Sequence, residues 1–215
     1  MTAQAGSASS LSGSGSTPAT ARAELRRLLR ARRQALPPAE RAAASRGIGR
    51  KLWRSGLLRR GQKIAAYLPI GGEVDLAAVI AKAQACGCRL YLPRIRKLRS
   101  GSMEFRRFTT HASLVRNRLG ILEPAASAPR IAPRFLDRVL VPLVGFDASG
   151  QRLGMGAGFY DRRFAFLRAG RAWRRPRLIG VAYEMQKVPR LDPQPWDVPL
   201  DAIVTDRHVY RYHRS

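Results

Sequence analysis

Gly150-Gln151-Arg152-Leu153-Gly154-Met155-Gly156-Ala157-Gly158-Phe159-Tyr160-Asp161-Arg162-Arg163 follows the apolar run Val139-Leu140-Val141-Pro142-Leu143-Val144 and leads into a segment of helical spacing from Phe159 to Ala169. The run reads as a buried strand, so the succession is strand, glycine loop, helix. Alternating glycines at 154, 156 and 158 permit backbone dihedrals closed to other residues and turn successive N–H groups towards one point. The positive end of the following helix would add to them. Arg152 offers a cation for phosphate, and Asp161 offers a hard oxygen for a metal. Two readings of the loop stay open on its spacing alone: a phosphate cradle, or a plain glycine turn before a helix. Gly-x-Gly-x-Gly is neither the dinucleotide spacing Gly-x-Gly-x-x-Gly nor a P-loop, because no Gly-Lys-Ser/Thr follows.

Strand and helix signals alternate outward from this stretch. Leu25, Leu28, Leu29 and Leu36 recur at helical spacing and predict a basic helix over 22–35. Pro37 and Pro38 end it and open a second helix over 39–54, with Ile48, Leu52 and Trp53 inward. Strands are expected at 63–68, 89–92, 103–108, 139–144, 178–183 and 202–205, a short edge strand at 209–212, and a helix at 76–86. The Ala- and Pro-rich stretch 125–133 reads as a surface loop. This order predicts one α/β domain, a doubly wound and mostly parallel sheet with helices on both faces, a Rossmann-like three-layer sandwich. Ligands of such sheets bind beyond the carboxyl ends of the strands, which points to 69–73, the glycine loop and 184–197.

Residues 1–20 carry no charge and no aromatic, so they cannot bury enough surface to offset their ordering entropy and are expected to be disordered, leaving 21–215 as the domain. They lack a basic start and an apolar centre, no run elsewhere reaches membrane-spanning length, and a cytoplasmic protein is expected. Cys86 and Cys88 have no second cluster and suggest neither a disulfide framework nor a zinc site. The formal net charge of +26 would suit a nucleic-acid partner. Yet only five of the forty basic residues are lysines, and the arginines are scattered through every segment, which equally suits a funnel for a small polyanion. His111, His208 and His213 stand in no motif and are read as surface residues. With no nucleophilic triad to assemble, a phosphate cradle, arginines and isolated carboxylates fit phosphoryl transfer, which asks for positioning and charge stabilisation.

The stretch from Gly150 to Arg162 resembles the signature of the 5-formyltetrahydrofolate cyclo-ligase family. Further landmarks occur in the family's order: Leu25-Arg26, Tyr67-Leu68-Pro69 with Glu73-Val74-Asp75, Leu92-Pro93, Gly120-Ile121-Leu122-Glu123-Pro124, Val141 to Asp147, Gly180-Val181-Ala182-Tyr183, Gln186, and Trp196 to Asp201. The resemblance implies ATP- and magnesium-dependent closure of 5-formyltetrahydrofolate, its polyglutamylated forms included, to 5,10-methenyltetrahydrofolate. It further implies that Arg22 and Arg26 contact the nucleotide together with Arg152, Leu153, Gly154, Met155, Gly156, Ala157, Gly158, Phe159 and Tyr160. Arg152 and Tyr160 are the catalytic candidates, and Asp161 and Asp197 would hold the metal. Leu68 and Glu73 would meet the pterin, with Met155, Gly156, Ala157, Gly158 and Phe159 on its other side. The chain departs from the family in carrying Arg22 where lysine is common, Ala157 where some members have lysine, and Phe159 for the commoner tyrosine. Arg22 and Arg26 also read as a solvated helix face, Asp161 as a group facing a helix N-terminus, and Glu73 as a cap of the next helix. A monomer with no membrane and no specific nucleic-acid partner is expected. The rival readings are a basic nucleic-acid-binding module and a different phosphate-handling enzyme on a similar sheet.

Overall fold

The structure is a computed structural model and describes residues 18–97, 102–118, 120–168 and 175–212. Residues 1–17, most of the expected disordered tail, and His213 lie outside the described residues. Helix α1 (Pro18–Ala35) begins before Arg22, because Pro18 takes a first-turn position where its missing N–H costs nothing and Ala19 continues the helix. Of its leucines Leu29 is buried, while Leu28 is solvent-exposed, so the buried stripe is narrower than the spacing suggested. Helix α2 (Pro38–Arg54) buries Ile48 and Leu52. After β1 (Lys63–Ala65) comes α3 (Ala77–Ala85), whose first turn is capped by Asp75: the Ala77 N–H donates to Asp75 Oδ1 at 2.8 Å.

The remaining strands are β2 (Arg89–Lys97), β3 (Ser102–Phe108), β4 (Leu114–Arg116), β5 (Leu122–Pro124), β6 (Arg130–Ile131), β7 (Arg138–Pro142), β8 (Gly145–Phe146), β9 (Arg152–Leu153), β10 (Arg177–Val181), β11 (Ala202–Val204) and β12 (Val209–Arg211). The main sheet runs β12-β11-β10-β7-β1-β2-β3-β6. Strands β11, β10, β7, β1 and β2 are mutually parallel, and β12, β3 and β6 add antiparallel edges. β4–β5 and β8–β9 form separate two-stranded pairs.

Alternation along each strand separates two cores. Ile64, Leu90, Leu140 and Ile179 pack with α2 and α3 on one face. Ala65, Val139, Leu178 and Ile203 pack with Phe164 and Leu167 on the other. The doubly wound, mostly parallel reading therefore holds.

Several boundaries move, and the site depends on them. The first strand ends at Ala65, because Tyr67 and Leu68 peel away ahead of Pro69 and wall a cavity. β2 continues past Leu92 to Lys97, paired across to β3 with Arg94 opposite Glu104. The stretch 125–133 contains β6 and ends on Pro133, which opens a short 3₁₀ turn at Pro133–Phe135. Helix α4 (Phe159–Phe164) lasts six residues and passes into a 3₁₀ turn at Ala165–Leu167, while Ala169 lies outside the described residues.

β1 is the point where the winding reverses, with β2 on one side and β7 on the other. Beyond the carboxyl ends of these strands the chain opens into a crevice, where an open α/β sheet takes its ligand.

Candidate active site

A cavity of about 250 Å³ lies at that crevice. It is lined by Leu68 and Glu73 after β1, Pro93 and Ile95 on β2, Met103 on β3, Ile121 and Glu123 at the β4–β5 pair, and Arg152, Gly154, Met155 and Ala157 to Asp161 of the glycine segment. A wider groove of about 770 Å³ runs between α2 and residues 183–185 and 206–207, but it includes none of the glycine segment. Two of its polar side chains, Lys51 and Glu184, already have protein partners: the Lys51 ammonium donates to the Asp206 carbonyl, and Thr205 and Tyr210 hydroxyls donate to Glu184 at 2.6 Å. The smaller cavity is where unspent chemistry gathers.

The glycine loop leaves β9 and enters α4. Gly156 and Gly158 have φ of +99° and +62°, the left-handed region, and a methyl group on Gly158 would lie 2.8 Å from Arg162 Nη1. Gly154 has no positive φ; a methyl group there meets nothing within 4 Å, so this glycine keeps an approach open and does not make a turn. Among the described residues no protein acceptor takes a hydrogen bond from the N–H groups of Met155, Gly156, Ala157 or Gly158, as an anion cradle requires. Arg26 Nε donates to the Gly154 carbonyl at 3.0 Å, and Arg162 holds the Ala157 carbonyl. Met155, Gly156 and Ala157 are exposed at the mouth, Phe159 is half-buried, and Leu153 turns its side chain into a small third core with Leu29, Val144 and Leu191. Leu153 therefore places the loop and presents no side chain to the cavity.

Arg152 is buried, and its guanidinium is shared between Asp161 Oδ1 and the Val198 carbonyl. Asp161 Oδ1 also accepts the Val198 N–H at 3.1 Å. Burial lowers the Arg152 pKa, and the fields of Asp161 and then Asp197 oppose that shift. The proposed phosphate cation and the proposed metal ligand are thus ion-paired with each other, a pairing the nine-residue separation did not suggest.

Asp197 takes the Gln194 N–H at 3.0 Å and faces Arg22 Nη2 at 3.9 Å, while Arg22 Nη1 donates to the Asp192 carbonyl at 2.7 Å. Arg22 and Arg26 are therefore engaged with the late loop and the glycine loop, so the solvated-face reading fails. Burial depresses the Arg26 pKa first and Arg22 next, against Asp197. Among the described residues no three His, Cys, Asp or Glu side chains converge as a metal cage. Asp161 lines the cavity beside the glycine loop and the field of Asp197 reaches Arg26 and Arg152, and such a pair fits magnesium, which takes one or two protein carboxylates and completes its shell from phosphate oxygens and water.

Glu73 lies on the other wall. It does not cap α3, since Asp75 does; its Oε2 accepts the Ile70 N–H at 3.2 Å. Burial raises its pKa, opposed by that hydrogen bond and by Arg33 and Arg30. Tyr160 stacks on Phe164 with centroids 6.4 Å apart, and burial followed by the Glu73 charge pushes its pKa up. It remains a neutral phenol, a hydrogen-bond donor and not a base.

Sequence reading missed Arg33, Ile95 and Met103 as site residues, since they carry no motif of their own. It quoted Tyr67, Asp147 and Gln186 only as landmarks. Asp147 accepts from Ser149 N and Oγ, Gln151 N and Leu191 N, pinning the β8–β9 turn to the late loop. Gln186 Nε2 donates to the Leu143 and Val144 carbonyls at 2.7 and 2.9 Å.

The chain matches the 5-formyltetrahydrofolate cyclo-ligase family over residues 18–206. It is 32% identical over 188 residues to the 5-formyltetrahydrofolate cyclo-ligase of Escherichia coli strain K12, spanning 86% of this chain and 100% of that one. The Haemophilus influenzae enzyme of the same name is 34% identical over 145 residues, covering 66% of this chain and 74% of its own. The solution structure of Aquifex aeolicus 5,10-methenyltetrahydrofolate synthetase superposes with a TM-score of 0.76 at 32% identity, covering 90% of this chain and 95% of that one. The corresponding Mycoplasma pneumoniae synthetase gives 0.68 at 27% identity, over 86% and 98% of the two chains. With an extended match of sequence and fold around a glycine cradle at the switch point, the chain belongs to the 5-formyltetrahydrofolate cyclo-ligase family.

Proposed function

We propose that this chain closes 5-formyltetrahydrofolate to 5,10-methenyltetrahydrofolate, converting ATP to ADP and phosphate. One observation carries the reading: a single cavity joins Glu73 and Leu68 on one wall to Arg152, Tyr160 and a cradle of unengaged backbone N–H groups on the other. The N5-formyl group is amide-like and a poor electrophile. Once its oxygen takes the γ-phosphoryl group, the carbon becomes imidate-like, N10 of the same molecule adds to it and loses its proton, and the C–O bond breaks with phosphate leaving. The protein supplies no nucleophile; its task is to hold two ligands in register.

Glu73 accepts the pterin's amino and ring N–H groups, and Leu68 packs on the ring. Met155 to Phe159 close the folate from the other side. Arg22, Arg26 and the glycine N–H groups hold the nucleotide, Arg152 balances charge on the transferred group, and Tyr160 donates a hydrogen bond to developing negative charge. Asp161 and Asp197 would hold magnesium, which would screen the phosphate oxygens from the incoming formyl oxygen. Glutamylated folates are included in the substrate class. Among the described residues no helix is long and apolar enough to cross a membrane. We further read the protein as a cytoplasmic monomer with no specific nucleic-acid partner.

The test is direct. Purified protein incubated with 5-formyltetrahydrofolate, ATP and magnesium should develop the near-ultraviolet absorbance of the methenyl product. Folded protein that gives no ATP-dependent signal rejects the reading.

A further inference from the structure

Arg22 and Arg26 engage the nucleotide side through the first turns of α1. Two turns beyond Arg26, about 10.5 Å along the axis, the same helix carries Arg33. Arg33 is 1% exposed, the largest fully buried side chain among the described residues. Its Nε and Nη2 donate to the Gly71 carbonyl at 3.2 and 3.0 Å, and its Nη1 donates to the Leu143 carbonyl at 3.3 Å. We propose that Arg33 is a positioning residue for the folate half of the site: wedged between two carbonyls, its guanidinium sets the Gly71–Glu73 turn against the carboxyl end of β7, from the helix that also holds the glycine loop. The proposal rests on the reading that Glu73 meets the folate.

The arrangement is specific to arginine. A buried cation is costly unless its protons are taken up, and only a planar fork can place two donors on one carbonyl and a third on another. The turn is built around it: Gly71 and Gly72 have φ of +54° and +80°, and a methyl group on Gly71 would lie 3.7 Å from Arg33 Nη2. The Leu143 carbonyl also receives Gln186, so the end of β7 is fixed from two sides. Further bonds secure the chain just beyond the turn. The Tyr67 hydroxyl donates to the Val74 carbonyl at 3.1 Å, and Ser45 Oγ accepts the Asp75 N–H at 3.0 Å.

No carboxylate bonds directly to Arg33 among the described residues. Its charge is balanced at longer range by Glu73, and each opposes the shift that burial imposes on the other. The groups around Glu73 are Arg33 and Arg30 from α1, Tyr67 before the turn, Tyr160 from α4 and Tyr183, whose hydroxyl approaches the Glu73 carbonyl at 3.4 Å. Of these only the two arginines favour the carboxylate, adding to the hydrogen bond it accepts from the Ile70 N–H. Arg33 therefore has two separable effects, one of charge on Glu73 and one of geometry on the turn.

Arg33→Met and Arg33→Lys separate them. Arg33→Met should raise KM for 5-formyltetrahydrofolate about tenfold, leave KM for ATP within about twofold, and move the acid limb of kcat/KM for the folate to higher pH. Arg33→Lys returns the charge without the fork, so the acid limb should come back towards wild type while the folate KM stays raised severalfold. A fall in melting temperature with unchanged folate KM and acid limb would reduce Arg33 to a buried stud and overturn the proposal. If Arg33→Met does not fold, an unchanged folate KM in Arg33→Lys does the same. Glu73→Gln, run alongside, separates the two levels: silence there removes Glu73 from the folate site and the proposal with it. Silence in the Arg33 variants alone removes only the proposal.

Discussion

Replacing Asp161 by Asn alters one charge in a place where two roles meet. Asn keeps an oxygen for the Val198 N–H, held at 3.1 Å, so the local backbone bond survives. What disappears is the counter-charge of Arg152, whose side chain is 6% exposed against 19% for Asp161. Removing one partner of a buried pair costs about 3–5 kcal/mol. Arg152 retains the Val198 carbonyl and the field of Asp197, which places Asp161→Asn near the lower end, about 3 kcal/mol. For a domain of this size that is a fall in melting temperature of roughly 6–12 °C.

The same substitution should raise the magnesium concentration needed for half-maximal turnover. Stability and metal dependence are read from one preparation, by urea unfolding and by a magnesium titration of the absorbance assay. Arg152→Met with Asp161→Asn should recover much of the stability, because no unpaired charge remains, and none of the activity. An Asp161→Asn enzyme with wild-type unfolding midpoint and wild-type magnesium dependence would refute both the ion-pair energetics and the metal assignment.

Burial raises the Glu73 pKa, so the native state binds a proton that the unfolded state has released, and stability falls as pH rises from the ordinary carboxylate range through the raised value. Glu73→Gln should remove that slope, melting higher than wild type at neutral pH while losing folate affinity; a wild-type pH dependence of melting counts against it. Gly158→Ala places a methyl group at φ +62° against Arg162 and should cost about 1–2 kcal/mol, measured by urea unfolding. Gly154→Ala should leave stability within about 0.5 kcal/mol and raise KM for ATP, since its methyl group enters open space that a ligand would use. Binding to fluorescent single-stranded DNA should collapse steeply between 50 and 200 mM salt, as expected for scattered phosphate contacts; selective binding that survives would favour a nucleic-acid role for the +26 charge.

Much of the fold was legible because its periodicities are strong: the leucines of α1, the prolines at 37 and 38, and the valine-rich run into β7. β4–β5 escaped notice because Leu114 to Pro124 mixes short apolar stretches with arginines, and β6 is two residues within an Ala- and Pro-rich stretch. Glycine spacing and family resemblance picked out the cradle, Glu73, Arg26 and Asp197. Pairings were not legible. Nothing in a chain with forty basic residues marks Arg33 as the one to be buried, and nothing in the spacing joins Arg152 to Asp161. Both follow from how β1, β7 and the late loop converge in space.

The small core of Leu29, Val144, Leu153 and Leu191, with Leu25 and Val188 against it, is separate from the two that clamp the sheet. It fastens α1, the glycine loop and the late loop to one another with far less buried apolar surface than the main layers have. Opening free energy within a native protein follows such differences, so this unit should exchange its amide hydrogens well before the sheet does. Ligands that bridge α1 and the loops would slow that exchange there first. The protein should thus keep its catalytic register in a part looser than its main sheet, where substrate adds to the rigidity that the fold supplies.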